Sequence, residues 1–217
     1  SGVGRLEDSE DAGDSYDWSA GGFPVEVGSG KGEKMPDRSK EVDRRLCDAD
    51  AAEKRDVTIT PILETPWIST VMVQVHWALP IRFDDSTQKR SEEEDWITVD
   101  HYLTLRSGSK TVEIETWMNN TCEDHRLRLC VPTGLTQKKV WAGGAFDVLA
   151  RLTEWPHDAD WEQPQVPTQH FSQFVAMQDR LGGIAVLAPG SNEYETAPTD
   201  GAEGTDIRIT MLRATGW

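Results

Sequence analysis

The stretch Val71-Met72-Val73-Gln74-Val75-His76-Trp77-Ala78-Leu79 alternates without a break. Val71, Val73, Val75, Trp77 and Leu79 fall on one side of an extended chain, with Met72, Gln74, His76 and Ala78 on the other. Successive side chains of a strand point to opposite faces, so a period of two with one apolar side reads as a half-buried β-strand. The pattern recurs downstream. Ile97, Val99, Leu103 and Leu105 alternate with Thr98, Asp100, Tyr102 and Thr104; Val112, Ile114 and Met118 alternate with Glu113, Glu115 and Trp117; and Leu127, Leu129 and Val131 repeat it. Residues 57–63, 171–177, 184–188 and 207–212 are further short apolar runs bounded by Pro, Gly or Asp. Many short strands with turn signals between them predict an all-β, mostly antiparallel β-sandwich.

Around this frame the chain is less regular. Residues 1–40 are rich in Gly, Asp and Ser and hold Pro24 and Pro36, so they read as loop with at most one short strand at 23–27. Residues 37–56 carry Glu, Lys, Arg and Ala, with Val42 and Leu46 four apart, and there one short surface helix and irregular structure stay equally open. Gly143-Gly144 reads as a turn before a strand beginning at Phe146. The stretch 153–170, with Pro156, Pro164 and Pro167, is expected to be a loop pinned by Trp155 and Trp161. A turn at 119–124 would pair the strand holding Glu115 and Trp117 with the one holding Arg126 and Arg128, placing Glu115 opposite Arg128 and Trp117 opposite Arg126.

Composition excludes some functions and identifies none. The 217 residues suffice to bury a core without staples. A net charge of -16, from 38 acidic against 22 basic residues, repels phosphate backbones and anionic lipid, so neither nucleic acid nor membrane is an expected partner. No apolar run approaches the roughly 18 residues that would span a bilayer. Cys47, Cys122 and Cys130 show no C-x-x-C spacing and read as reduced thiols. The compartment stays open, with the cytoplasm slightly favoured, and so does homo-oligomerisation.

Among the five histidines no two stand at the i, i+4 spacing of a helical metal pair; the nearest ligand cluster is His157, Asp158 and Asp160, in a loop whose composition produces such clusters by chance. No phosphate loop, nucleophile elbow or Cys-His nucleophile is visible. Asn119-Asn120-Thr121 fits the N-glycosylation acceptor pattern at a turn. The nine tryptophans allow sugar stacking, although Trp77 lies on a core face.

A resemblance adds what composition does not. From Val112 to Gly134 one strand ends at Asn119, a short turn follows, and the next strand opens with Asp124-His125-Arg126-Leu127-Arg128 before Pro132-Thr133-Gly134. This resembles a segment that follows the catalytic barrel in family 38 glycoside hydrolases. Three further pieces fall in the family's order: Gly13-Asp14-Ser15-Tyr16-Asp17-Trp18-Ser19, Phe146-Asp147-Val148, and Gly183-Ile184-Ala185-Val186-Leu187 leading through Glu193-Tyr194-Glu195 to Leu212-Arg213-Ala214-Thr215-Gly216-Trp217. Trp18 stands for the usual second Tyr, Ala20 for a common Pro, and Ser191-Asn192 where Leu-His is frequent.

The resemblance implies a β-sandwich of the supersandwich type, with 1–40 a junction after the barrel and 41–217 a sandwich domain cut short at its C-terminal end. It also implies a role as the non-catalytic portion of an α-mannosidase-type hydrolase acting on mannosylglycerate or other small mannosides. In such retaining enzymes the nucleophile and a divalent metal, usually zinc, belong to the barrel, so no cofactor, metal ligand or catalytic residue is expected here. The expected partners are the barrel of the same polypeptide and the mannoside, with Asp14, Tyr16 and Trp18 nearest the substrate. The alternative from another class is a self-standing carbohydrate-binding or interaction module.

Overall fold

The computed structural model describes residues 5–10, 55–84, 86–87, 89–154, 167–199 and 202–215. Among these residues every regular element is a strand. In chain order they are β1 (Arg5–Glu10), β2 (Arg55–Glu64), β3 (Ile68–Pro80), β4 (Phe83–Asp84), β5 (Lys89–Arg90), β6 (Glu94–Arg106), β7 (Val112–Asn119), β8 (His125–Pro132), β9 (Lys139–Gly143), β10 (Val148–Leu152), β11 (Gln169–His170), β12 (Phe174–Gln178), β13 (Gly183–Leu187), β14 (Glu193–Pro198) and β15 (Thr205–Ala214). All pairings are antiparallel. The chain divides into two compact units, one drawing on 1–19 and 125–215, the other on 20–124.

The first unit is a two-layer sandwich. One sheet has the order β1-β8-β15-β14-β11 and the other β10-β9-β12-β13. Val140, Ala142, Val175 and Met177 of the second sheet pack with Tyr194, Ile207 and Ile209 of the first, and Phe171 fills the same cluster. Side chains from two inner faces closing one core is what makes two sheets a sandwich. Phe171 meets the Tyr194 ring edge-on, with centroids 5.8 Å apart. Β8 lies between β1 and β15 and is buried on both faces, Leu127, Leu129 and Val131 on one, Arg126, Arg128 and Cys130 on the other.

The second unit holds the sheet β2-β3-β6-β7 and the β4-β5 hairpin. Β3 and β6 pair along their whole length, Trp77 opposite Ile97 and Val75 opposite Val99, which gathers both apolar sides onto one face as the alternation predicts. Β2 is an edge strand, and Pro61 sits at its bulge, where a missing ladder donor is tolerated. The apolar face is buried at Val75, Trp77, Ile97 and Val99 and exposed along the edge strand β2, at Val57 and Ile59, and at its other end, at Leu105 and Val112.

Three expectations change. Arg55 and Asp56, at the end of the stretch left open between a short helix and irregular structure, pair as strand in β2 with Trp77 and His76; residues 37–54 lie outside the described residues, as do the strand expected at 23–27 and Trp155 and Trp161. The hairpin expected between Glu115 and Arg128 does not form. Β7 pairs with β6, Glu115 opposite Tyr102 and Trp117 opposite Asp100, while β8 belongs to the other unit. The cause lies in the apolar sides: Val112, Ile114 and Met118 of β7 match Leu105, Leu103 and Val99 of β6 in register, while β8 needs partners for two buried faces. Third, β1 runs where only loop was expected, and the strand after the Gly143-Gly144 turn begins at Val148, not Phe146.

His101 was no part of the apolar pattern, yet it points into that face, only 2% exposed. Its Nδ1 is 2.8 Å from Thr116 Oγ1, and Nε2 has no hydrogen-bond partner among the described residues. Burial holds its pKa below the usual imidazole value, partly countered by the Asp100 charge. An imidazole whose folded pKa is depressed takes up its proton more readily unfolded than folded, so stability is intact above about pH 6.5 and declines as pH falls from there through the lower folded value. His101→Gln should therefore flatten the decline of the urea midpoint below about pH 6.5. An unchanged slope would show that another group carries it.

Candidate functional site

The outward face of the five-stranded sheet is where the first unit keeps its polar chemistry. Alternation along β1, β8, β14 and β15 puts Glu7, Arg126, Arg128, Glu193, Glu195, Arg208 and Thr210 on that side, opposite the leucines and isoleucines. Arg126, Arg128 and Arg208 are almost wholly buried there. Arg128 donates from Nη2 to Glu7 Oε1 and from Nη1 to Glu195 Oε2. Arg208 Nε stands 3.3 Å from Glu7 Oε2. Arg126 Nη1 donates to Thr168 Oγ1 at 2.9 Å and Glu193 Oε1 at 3.3 Å, and Thr210 donates to the same Glu193 oxygen at 2.6 Å.

Three guanidiniums thus meet three carboxylates across four adjacent strands. Guanidinium does not give up its proton in proteins, and these carboxylates serve as acceptors, so the network is built to hold register, not to move protons. It ties β1 to strands more than a hundred residues away in sequence, Glu7 lying 121 positions from Arg128. Next to it Cys130 donates Sγ–H to Glu7 Oε2 at 3.2 Å. Burial pushes the Cys130 thiol up to about 12, with the Glu7 carboxylate adding to the effect, so it stays a neutral thiol and is neither nucleophile nor metal ligand. At the end of β1, His125 Nδ1 is hydrogen-bonded to Asp8 Oδ1 at 2.6 Å.

Asp14, Tyr16 and Trp18 lie outside the described residues, as does the His157, Asp158 and Asp160 cluster. Asp14 follows the last residue of β1 by four positions in sequence. Among the described residues no group of His, Cys, Asp and Glu converges to hold a metal ion. Sequence reasoning missed the charge network because it assigned Arg126 and Arg128 to a surface hairpin. The available signal was Glu193-Tyr194-Glu195 and Arg208, charges alternating with apolar residues on short strands.

Two surfaces complete the inventory. On the outer side of β10-β9-β12-β13, Val148, Leu152, Trp141 and Leu187 stand exposed on one sheet face, Val148 at 52% and Leu187 at 66%. On the polar side of β2-β3-β6-β7, Trp96 and Trp117 are exposed at 47% and 64% among Gln74, His76, Asp100 and Glu115.

Residues 48–217 match the model of the glycosyl hydrolases family 38 C-terminal domain. The chain belongs to glycosyl hydrolase family 38. A provisionally named mannosylglycerate hydrolase of Halalkalibacterium halodurans is 26% identical over 132 residues, which cover 61% of this chain and 14% of that protein. The fold of this family 38 chain is shared by two solved structures. A protein in the glycosyl hydrolase family 38 from Enterococcus faecalis has a TM-score of 0.71 at 23% identity, covering 99% of this chain and 23% of that one. An alpha-mannosidase from Enterococcus faecalis V583 has a TM-score of 0.74 at 24% identity, covering 99% and 22%. The family 38 chain therefore spans less than a quarter of each of these relatives.

Proposed function

We propose that this chain is the non-catalytic β-sandwich portion of an α-mannosidase-type glycoside hydrolase, and that the full polypeptide hydrolyses α-mannosidic bonds in mannosylglycerate or other small mannosides. The observation that carries the reading is the family match over 48–217, to a domain defined as C-terminal. The exposed apolar sheet face at Val148 and Leu187 supports it, because monomeric soluble domains rarely leave a contiguous apolar sheet face without a partner. In this reading the partner is the catalytic barrel of the same polypeptide. The pair of carboxyl groups that retention requires, and a divalent metal ion, zinc by the family resemblance, reside in that barrel. The charge network holds β1 in place, and the chain runs from β1 into Asp14, Tyr16 and Trp18, the segment proposed to lie nearest the sugar.

The full polypeptide should hydrolyse aryl α-mannosides and lose that activity with a chelator; an active enzyme indifferent to mannose configuration would overturn the assignment. Tyr16→Ala in the same polypeptide should lower kcat/KM by about 10-fold to 100-fold, the size of one lost hydrogen bond or stacking contact in the transition state, while thermal stability holds. Unchanged kinetics would remove Tyr16 from the site.

A further inference from the structure

We infer that the polar face of the β2-β3-β6-β7 sheet is a saccharide-binding surface for a neutral oligosaccharide chain. Strand alternation sets Trp96 and Asp100 of β6, Trp117 and Glu115 of β7, and Gln74 and His76 of β3 on this one face. An ordinary solvent face of a sheet carries small polar and charged residues, whereas here two indoles are 47% and 64% exposed. Both are braced. The Trp96 ring lies 4.6 Å from the His76 ring at 31°, and Trp117 Nε1 donates to Glu115 Oε1 at 3.0 Å. Between them Gln74 Nε2 donates to Asp100 Oδ1 at 2.8 Å, leaving Oδ2 without a hydrogen bond among the described residues.

A flat indole suits the C–H face of a pyranose, and carboxylate and amide oxygens accept from its hydroxyls. Asp100 is opposite Trp117, and Trp96 is four residues before Asp100. At about 3.3 Å per residue and about 4.8 Å between strands, the two indoles are roughly 14 Å apart, a span for a short oligosaccharide and not a single ring. The net charge of -16 argues against an anionic ligand. That the ligand is a glycan, not a basic peptide, rests on the family reading above.

The test is affinity electrophoresis of the full polypeptide through gels containing soluble α-mannan, a neutral polymer, alongside kcat/KM on an aryl α-mannoside. Wild-type protein should be retarded. Trp117→Ala and Trp96→Ala should each weaken retardation about tenfold, corresponding to about 1.4 kcal/mol, and Trp117→Phe should keep most of it. Hydrolysis of the small substrate should stay unchanged, and retardation should survive about 1 M salt, where charge steering is screened within about 3 Å. Free migration of the wild type, unaltered retardation of both alanine variants, or retardation abolished by salt would overturn the inference. Absence of aryl mannoside hydrolysis with retardation intact would instead count against the enzyme assignment alone.

Discussion

Arg128→Met is expected to lower the unfolding free energy by about 3 kcal/mol, because it removes the guanidinium that bridges Glu7 and Glu195 and leaves each buried carboxylate with one remaining arginine, Arg208 beside Glu7 and Arg126 Nη2 3.6 Å from Glu195. Most of that penalty comes from the two buried carboxylates, each then compensated by one arginine in place of two. The double variant Glu7→Leu with Arg128→Met should therefore cost clearly less than the sum of the single changes. Urea unfolding followed by circular dichroism measures it. Additive costs, or a single-variant cost below about 1 kcal/mol, would mean that the network contributes no more than an exposed ion pair.

The second large effect depends on context. Val148→Glu with Leu187→Glu places two carboxylates on an exposed sheet face of this chain, and in the chain alone such surface changes should shift stability by no more than about 0.5 kcal/mol each. In the full polypeptide the same pair would put unpaired charges into an apolar interface. A loss of 2 kcal/mol or more is expected, read as a drop in the thermal midpoint and in activity half-life. Equal effects in the two contexts would show that this face has no partner in the enzyme.

The strands that were legible are those with one apolar and one polar side. Β3 and β6 announce themselves through Val73, Val75, Val99 and Leu103, and their pairing follows from matching those sides. Β1 was not legible for the opposite reason. In Arg5-Leu6-Glu7-Asp8-Ser9-Glu10 only Leu6 is apolar, and Glu7 is buried through its bonds to Arg128 and not through its own hydrophobicity. Β14 hides the same way behind Glu193 and Glu195. Periodicity also could not choose partners: the outward charges of β7 and β8 looked complementary, but apolar register joined β7 to β6, and Arg128 found carboxylates 121 and 67 positions away. The family motif around Asp124-His125-Arg126-Leu127-Arg128 pointed to the right place in the chain for a reason that composition could not supply. It marks a strand buried on both faces and flanked on both sides, between β1 and β15.

The most direct measurement is mannose release by the 217-residue chain itself. Purified, shown by circular dichroism to be a β protein, and supplied with zinc, it should release no mannose from an aryl α-mannoside, while the polypeptide that includes the preceding barrel does so under the same conditions. Turnover by the isolated chain would contradict the claim that its sheets support chemistry performed elsewhere.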